Sequence, residues 1–200
     1  SYGPVDPAHC HPILRDEIAL VGDRDPLALQ RGLPDRLAAA LDGVPDAGLD
    51  FRPAPGEWSA REVLAHLVHS EIVYGYRYRS IVAQPGAPIA GYDQEQWTPR
   101  TPERTWPAAA LLDHLRALKA VNVAFLSQTT PEELARWGVH GERGKESLAA
   151  LYGAIAGHDL LHERQIGANL AADGLVRVER LEIIDAGADA VFDYLQQEVS

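Results

Sequence analysis

The stretch SAREVLAHLVHSEIVYGYRYRSIVA, residues 59–83, constrains the fold of this chain more than any other feature. It opens with Ser59 and Glu62, the spacing of a capping box in which each side chain hydrogen-bonds a backbone amide of the first turn. No proline follows within the stretch, and its apolar residues recur at helical spacing on one side. The sequence therefore predicts a long amphipathic helix that buries one face.

Three further segments carry helical patterns, at about residues 25–41, 107–127 and 145–172. Asp25, which stands directly before a proline, is a typical N-cap for the first of them. Pro34 lacks an amide proton and crowds the preceding turn, so we expect a kink there or two short helices. The chain thus contains four helices long enough to pack together as a bundle.

Residues 85–106 form a connection rich in proline and glycine that is longer than compact domains normally use. We expect it to cross the bundle and to lie near the chemistry. With little β signal, the predicted fold is all-α, a four-helix bundle over residues 25–172 with one long crossover loop. Residues 1–24 are predicted to be an N-terminal extension that packs loosely or lies on the surface. Residues 173–200 form a C-terminal extension, in which 175–184 is either a strand or irregular and the end is a helix.

Charge and cysteine content exclude several classes of protein. The formal net charge is −11 at pH 7, so nucleic acid would be repelled over most of the surface and is not an expected partner. Cys10 is the single cysteine, which rules out an intramolecular disulfide and favours a reduced, cytoplasmic setting. No stretch approaches the roughly 18 apolar residues of a membrane span, and no signal-peptide pattern opens the chain, so we expect a soluble protein without a membrane partner.

Histidines indicate a metal site. His158 and His162 are four residues apart in the last predicted helix, so both imidazoles project from nearly the same side. Both border the apolar arc of that helix, and His66 borders the apolar arc of the helix that begins near Ser59. Three imidazoles from two facing helices match a catalytic site with three protein ligands and one open position, for which Zn or Ni is the favoured ion. His69 lies on the far side of its helix and is expected at the surface.

Two other interpretations of the histidine pair stay open. Pairs at this spacing also arise by chance, and two partly buried, hydrogen-bonded histidines would explain it without a metal. The run from His158 to His162 also nearly matches the H-E-x-x-H signature of zinc proteases. However, Asp159 replaces the glutamate, and the best third histidine lies upstream rather than downstream. A protease is therefore the weaker interpretation.

Three carboxylates fall within the predicted apolar arcs, where a buried charge is costly unless it is paired or hydrogen-bonded. These are Glu71, Asp159 and Glu163. We interpret them as candidate catalytic groups: a general base, a fourth ligand, or partners that orient the imidazoles. Alternatively, the arcs are wider than the true core, and the three side chains reach solvent at its edge.

Three further side chains are candidates for binding a cofactor or substrate. Tyr92 and Trp97 come from the long connection and are expected to close over the metal, although aromatic residues in a loop also serve as anchors to the core. Arg77 is expected to meet an anionic substrate or the carboxylate of a thiol cofactor. The alternative for Arg77 is an ion pair with a neighbouring acid on its own helix.

Three stretches of the sequence resemble a known family. The stretch PAPGEWSAREVLAHLVHSE at 53–71, YDQEQW at 92–97, and a late H-x-x-x-H followed by ERQI are similar to the DinB-like (YfiT-like) superfamily. The resemblance covers about residues 24–172. It implies a four-helix bundle with an unusual crossover that, in many members, binds a divalent metal through three histidines.

The resemblance also implies which residues bind the metal and which reactions are expected. It implies that His66 corresponds to the family's first ligand and that His158 and His162 correspond to its late pair. Some members transfer a low-molecular-weight thiol such as bacillithiol or mycothiol, a related isomerase acts on maleylpyruvate, and others are described only as metal-dependent hydrolases. Thiol transfer to a small electrophile is therefore the first expectation. A hydrolase that uses metal-activated water is the second, and a non-catalytic, stress-related metal-binding module is the third.

The expected partner is a small-molecule substrate. A homodimer is also expected, because Leu160 and Leu161 fall outside the inferred core stripe and would leave an apolar surface exposed.

Overall fold

The computed structural model describes residues 10–174, which fold into helices and a small three-stranded sheet. The helices are α1 (Pro12–Val21), α2 (Pro26–Ala40), α3 (Ala60–Ala83), α4 (Gln94–Arg100), α5 (Ala108–Leu126), α6 (Pro131–Leu134) and α7 (Leu148–Ala172). The strands are β1 (Pro88–Ile89), β2 (Trp137–His140) and β3 (Gly144–Ser147), and two 3₁₀ helices span Asp46–Asp50 and Pro102–Thr105. Within this range, no helix is both long and apolar enough to cross a membrane.

Helices α2, α3, α5 and α7 form the predicted bundle, and the first helical turns show why they begin where they do. The Asp25 side chain accepts a hydrogen bond from the amide of Leu27, and Ser59 and Glu62 form the complete capping box of α3. Pro34 lies inside α2, which continues through it as one helix, so the alternative of two short helices is wrong.

Helices α2 and α7 run parallel to each other, and α3 runs antiparallel to both. Along α2, Gln30 contacts the carbonyl of Tyr152 and Arg36 contacts Glu163, so both partners advance in the same direction. By contrast, Asn169 near the end of α7 hydrogen-bonds the carbonyl of Trp58, which lies just before α3. The first and last long helices of the bundle therefore point the same way.

Helix α5 runs parallel to α3, although the two follow one another in sequence. Arg61 near the start of α3 hydrogen-bonds the carbonyl of Trp106, and Asn122 farther along α5 hydrogen-bonds Glu71. The chain must therefore return the full length of the bundle between them. This return is the predicted crossover, and we call residues 84–107 the crossover segment.

The crossover segment is more ordered than a loop, since it contains β1, α4 and the second 3₁₀ helix. Strand β1 pairs in parallel with β2, and β2 pairs with β3 as an antiparallel hairpin. The sequence pattern predicts helix from about Lys145 and no sheet here. The helix instead begins at Leu148, with Ser147 as its N-cap. The all-α fold class is confirmed, and the sheet is a minor addition.

The loose packing expected for residues 1–24 is wrong for Pro12–Val21. Helix α1 packs on α7 with Leu14 and Glu17 buried. The contact is so close that a Cβ at Gly157 would lie 1.8 Å from the carbonyl oxygen of Glu17. Because α7 is apolar on nearly every side, it needs a cover on the face that the bundle leaves open, and α1 supplies it.

Leu160 and Leu161 are also buried, so the exposed apolar surface on which the homodimer expectation rested is absent. A homodimer stays a prediction without that support. The expectations for residues 175–184 and for the terminal helix lie outside the described residues, and the predicted domain boundaries likewise stay predictions.

Candidate metal centre

Three imidazoles converge in the core between α3 and α7. His66 on α3 and His158 and His162 on α7 are buried, and one nitrogen of each lies within 4.8 Å of the others. The Nε2 atoms of His66 and His158 are 3.0 Å apart. This is the only group of at least three such metal-binding side chains in residues 10–174. The structure thus brings together the three histidines that the sequence selected.

Hydrogen bonds orient two of these rings. The Nδ1 of His162 lies 2.8 Å from Oε1 of Gln165, and the Nδ1 of His66 lies 3.2 Å from the hydroxyl of Tyr92. An amide oxygen can only accept, so His162 carries its proton on Nδ1 and presents a lone pair at Nε2. That Nε2 atom is buried and has no hydrogen-bond partner among the described residues. Such a fixed second nitrogen is typical of histidines that bind metals.

Burial keeps all three rings neutral. It lowers the pKa of His66 and of His158 well below the ordinary value, and the nearby imidazoles lower both further. Burial also lowers the pKa of His162 to about 4, against a smaller opposing effect of the Gln165 hydrogen bond. Neutral imidazoles with inward lone pairs are ligands for Zn, Ni or Cu rather than for Mg or Ca. The residues present therefore fit a divalent transition-metal ion.

The crossover segment covers one side of this cluster with aromatic rings. Tyr92 is half-buried, and its ring centroid lies 6.3 Å from that of His66. Trp97 packs on Tyr92 at 5.1 Å rather than on the three imidazoles. On another side, the ring centroid of Trp58 lies 4.9 Å from that of His66. Tyr92 is thus placed at the cluster and Trp97 behind it, while their roles in binding a substrate stay predictions.

The expectation that His69 lies at the surface is wrong, because its side chain is only 2% exposed. Its Nε2 atom lies 3.1 Å from the hydroxyl of Thr101 and 3.8 Å from a carboxylate oxygen of Glu103. Both partners belong to the crossover segment. The pattern within one helix does not reveal that a distant segment of the chain will cover its polar side.

Arg77 is buried and reaches the crossover segment rather than the imidazoles. Its Nε donates to the carbonyl oxygen of Ala90 at 2.9 Å, and its terminal nitrogen is 3.5 Å from Nε2 of His140. Neither expectation, an anionic ligand or an ion pair on its own helix, describes these contacts. Binding of a ligand by Arg77 stays a prediction.

Glu71 and Asp159 belong to a second buried cluster beside the histidines. The Lys119 ammonium lies 2.7 Å from Glu71 and 2.5 Å from Asp159, and Asn122 donates to Glu71 at 2.9 Å. We call these four residues the ionic cluster. All four are buried. Of the two alternatives, solvent exposure at the edge of the core is therefore wrong for Glu71 and Asp159.

The charges of the ionic cluster stabilise one another. Burial alone would lower the pKa of Lys119, but the two carboxylates outweigh it and leave that pKa raised. Burial raises the pKa of Asp159 to about 7 against the opposing effect of Lys119, and Glu71 adds to the rise. The cluster is thus held by a charged lysine between two carboxyl groups.

Glu163 lies elsewhere, in an ion pair with Arg36 of α2 at 2.9 Å, and its side chain is 22% exposed. Within residues 10–174, neither Glu163, Glu71 nor Asp159 hydrogen-bonds one of the three imidazoles. A catalytic role for these carboxylates stays a prediction.

Three side chains in or beside these clusters were not among the predicted site residues, although each had a signal. Lys119 stands four residues after Leu115 and so falls on the buried stripe of α5. Ser70 and Gln165 stand four and three residues after His66 and His162, the spacings at which helical side chains meet.

Comparison with known proteins agrees with this geometry. The family model described as the DinB superfamily matches residues 30–166, a range that leaves out α1. A Bacillus mycoides (strain KBAB4) protein, named as a candidate metal-dependent hydrolase, is 29% identical over 134 residues, which are 67% of this chain and 77% of that protein. A Bacillus cereus (strain 03BB102) protein named in the same way is 28% identical over 134 residues, with the same shares covered.

Among solved structures, YfiT from Bacillus subtilis matches with a TM-score of 0.71 at 22% identity, over 76% of this chain and 87% of YfiT. It is described as a probable metal-dependent hydrolase with an unusual four-helix bundle topology. At this identity the likeness establishes a shared fold.

Proposed function

Because this chain belongs to the DinB superfamily and its buried histidines converge, we propose that it is a metal-dependent hydrolase whose divalent ion is held by His66, His158 and His162. The names of its Bacillus relatives favour hydrolysis over the thiol transfer that we expected first.

The observation that carries the proposal is the buried Nε2 of His162. A buried polar atom without a partner costs free energy, and a fixed lone pair that faces two further imidazoles is explained by a cation. The 3.0 Å separation of the Nε2 atoms of His66 and His158 also fits an ion, since their lone pairs repel unless a proton or an ion lies between them.

The donor set favours hydrolytic chemistry. A divalent ion on three neutral imidazoles acts as a Lewis acid and lowers the pKa of water toward neutrality. All three ligands would be neutral imidazoles, so none of them would offset the positive charge of the ion. Gln165 and Tyr92 hydrogen-bond two of the imidazole rings and fix their orientation. Trp58 and Tyr92 pack beside His66 and restrict the space around its ring.

Two alternatives use the same site. A low-molecular-weight thiol in place of water would give the transferase that the sequence led us to expect. A site that binds its ion without turnover would give the non-catalytic module. Both remain outcomes of the following experiment.

The full chain is purified, stripped of metal, reloaded with Zn²⁺ or Ni²⁺ and analysed for metal content. Turnover is then measured on chromogenic esters and amides, with and without a low-molecular-weight thiol. We expect one ion per chain and hydrolysis that a chelator abolishes and that needs no thiol. The variant with alanine at His66, His158 and His162 loses both ion and turnover, whereas the control His114→Ala, at an exposed histidine of α5, keeps both.

Three results would contradict the proposal. Absence of a stoichiometric ion in the wild-type protein removes the metal site. Turnover that requires the thiol replaces the hydrolase by a transferase. A tightly bound ion without turnover on any substrate leaves the non-catalytic module.

A further inference from the structure

We infer that Tyr92 is a positioning residue for the metal centre: its hydroxyl holds His66 in the tautomer that presents Nε2 to the ion. This inference rests on the proposed function only in assuming that the three histidines bind a metal. It assigns to the crossover segment a task beyond the return from the end of α3 to the start of α5.

The geometry consists of a short chain of hydrogen bonds beside His66. The Tyr92 hydroxyl lies 3.2 Å from Nδ1 of His66 and 2.8 Å from the hydroxyl of Ser70. Ser70 stands one helical turn after His66, and its oxygen is 3.4 Å from Nε2 of that ring. Tyr92 therefore bridges the ring and its own helix.

A neutral imidazole carries one N–H, which is on Nδ1 or on Nε2. If Nδ1 carries it, Tyr92 accepts that proton and donates its own hydrogen to Ser70. If Nε2 carries it, that proton points toward Nε2 of His158 at 3.0 Å and blocks an ion, while Tyr92 donates to Nδ1. Both arrangements give the Tyr92 hydroxyl its partners, but only the first leaves Nε2 of His66 free for an ion, and we assign that one.

The crossover segment fixes the position of Tyr92. Trp97 packs on its ring at 5.1 Å, and the adjacent Asp93 caps α4 by accepting from the amide of Gln96 at 3.0 Å. Farther along, Thr101 contacts His69 on α3 at 3.1 Å. The orientation of His66 therefore depends on a segment that is distant in sequence from the other two ligands.

His162 differs in this respect, since its partner Gln165 lies on the same helix, three residues away. Displacement of the crossover segment should then affect His66 and leave His162 oriented. This asymmetry separates a positioning role of Tyr92 from a general loss of structure.

The test uses the full-length protein and Zn²⁺, with affinity measured by competition against a chromogenic chelator. Tyr92→Phe removes only the hydroxyl and should weaken Zn²⁺ binding about 10- to 100-fold, the usual effect of losing a partner that orients a metal-bound histidine. The matched control is Tyr76→Phe on α3, where the tyrosine is 57% exposed and contacts none of these groups. It should leave the affinity unchanged.

A second measurement reports the tautomer itself. Nitrogen-15 NMR of the metal-free protein should place the His66 proton on Nδ1 in the wild type and on Nε2 in a measurable fraction of Tyr92→Phe. The signals of His162 should not change. Ser70→Ala should shift the His66 tautomer in the same direction with a smaller loss of affinity, because Tyr92 then lacks its acceptor.

Affinity of Tyr92→Phe within twofold of the wild type overturns the inference, and so does an equal loss in Tyr76→Phe. A His66 proton on Nε2 in the wild type also overturns it. If the wild type binds Zn²⁺ and hydrolyses nothing, the hydrolase proposal fails while the role of Tyr92 is still decided by affinity. If the wild type binds no Zn²⁺, both fail.

Discussion

The candidate metal centre and the ionic cluster both take residues from α3 and α7, and the ionic cluster adds Lys119 and Asn122 from α5, yet they bury polar groups in opposite ways. Helix α3 supplies His66 to one and Glu71 to the other, and the consecutive residues His158 and Asp159 of α7 go to different clusters. The ionic cluster is charged, and Lys119 forms ion pairs with both of its carboxyl groups. The metal centre is neutral and leaves a lone pair without a partner. The buried carboxyl groups are explained by the cation between them, whereas the unpartnered Nε2 of His162, which faces two further imidazoles, is the observation that supports a bound ion.

The largest effect expected from this contrast is on folding. Lys119→Met should lower the free energy of unfolding by about 3–5 kcal/mol, because it leaves two buried carboxyl groups without their cation. Urea denaturation at neutral pH measures the loss. Arg116→Met, on the same helix but in exposed ion pairs, should change stability by less than about 1 kcal/mol. A loss of less than about 1 kcal/mol for Lys119→Met would show that the ionic cluster does not stabilise the core.

The second effect is the pH dependence of the metal-free protein. The pKa of His162 is about 4 in the folded protein against 6.5 for an ordinary histidine, so the unfolded chain binds more protons between these values. The contribution of His162 to stability is therefore complete above pH 6.5 and is lost as the pH falls toward 4, whereas the raised pKa of Asp159 acts in the opposite direction over the same range. At about 1.4 kcal/mol per pKa unit, His162 alone accounts for roughly 3 kcal/mol.

Denaturation in the presence of a chelator, at several pH values between 7 and 4, checks this dependence. His66 and His158 act in the same direction, because burial also lowers the pKa of each. The variant His162→Asn should show a flatter dependence than the wild type. An unchanged slope in this variant would mean that His162 is not held neutral by burial.

The third effect is stabilisation by the ion. Zn²⁺ at a hundredfold excess over its dissociation constant should raise the free energy of unfolding by about 2.7 kcal/mol, because the unfolded chain lacks the site. The variant with alanine at the three histidines should gain nothing. Lys119→Met should gain as much as the wild type if the two clusters are independent. A rise in the triple variant would indicate that Zn²⁺ binds elsewhere.

The smallest effect concerns the hydrogen bond that orients His162. Gln165→Leu should weaken Zn²⁺ binding about tenfold, since the Nδ1 proton of His162 loses its acceptor. Gln165→Glu keeps an acceptor of similar length and should retain the affinity. Competition with a chelator gives both values. Equal weakening in both variants would contradict an orienting role for the acceptor oxygen.

The sequence predicted the helices well because their signals are local. Asp25, Ser59 and Glu62 cap helices with side chains that reach only two or three residues along the chain. Tertiary contacts decided the cases that failed: α1 spans only ten residues, and it is held by the close approach of the Glu17 backbone to Gly157. His69 is polar-facing on its own helix, but it is buried by the crossover segment.

By itself, the sequence determined which helices form and which faces they bury, and these faces selected His66, His158 and His162. This worked because a helical repeat places side chains by counting alone. Only the tertiary structure decided that Lys119 joins Glu71 to Asp159 and that Tyr92 reaches His66. Those pairs depend on how far one helix slides along another and on the path of the crossover segment, and neither is encoded in a repeat of 3.6 residues.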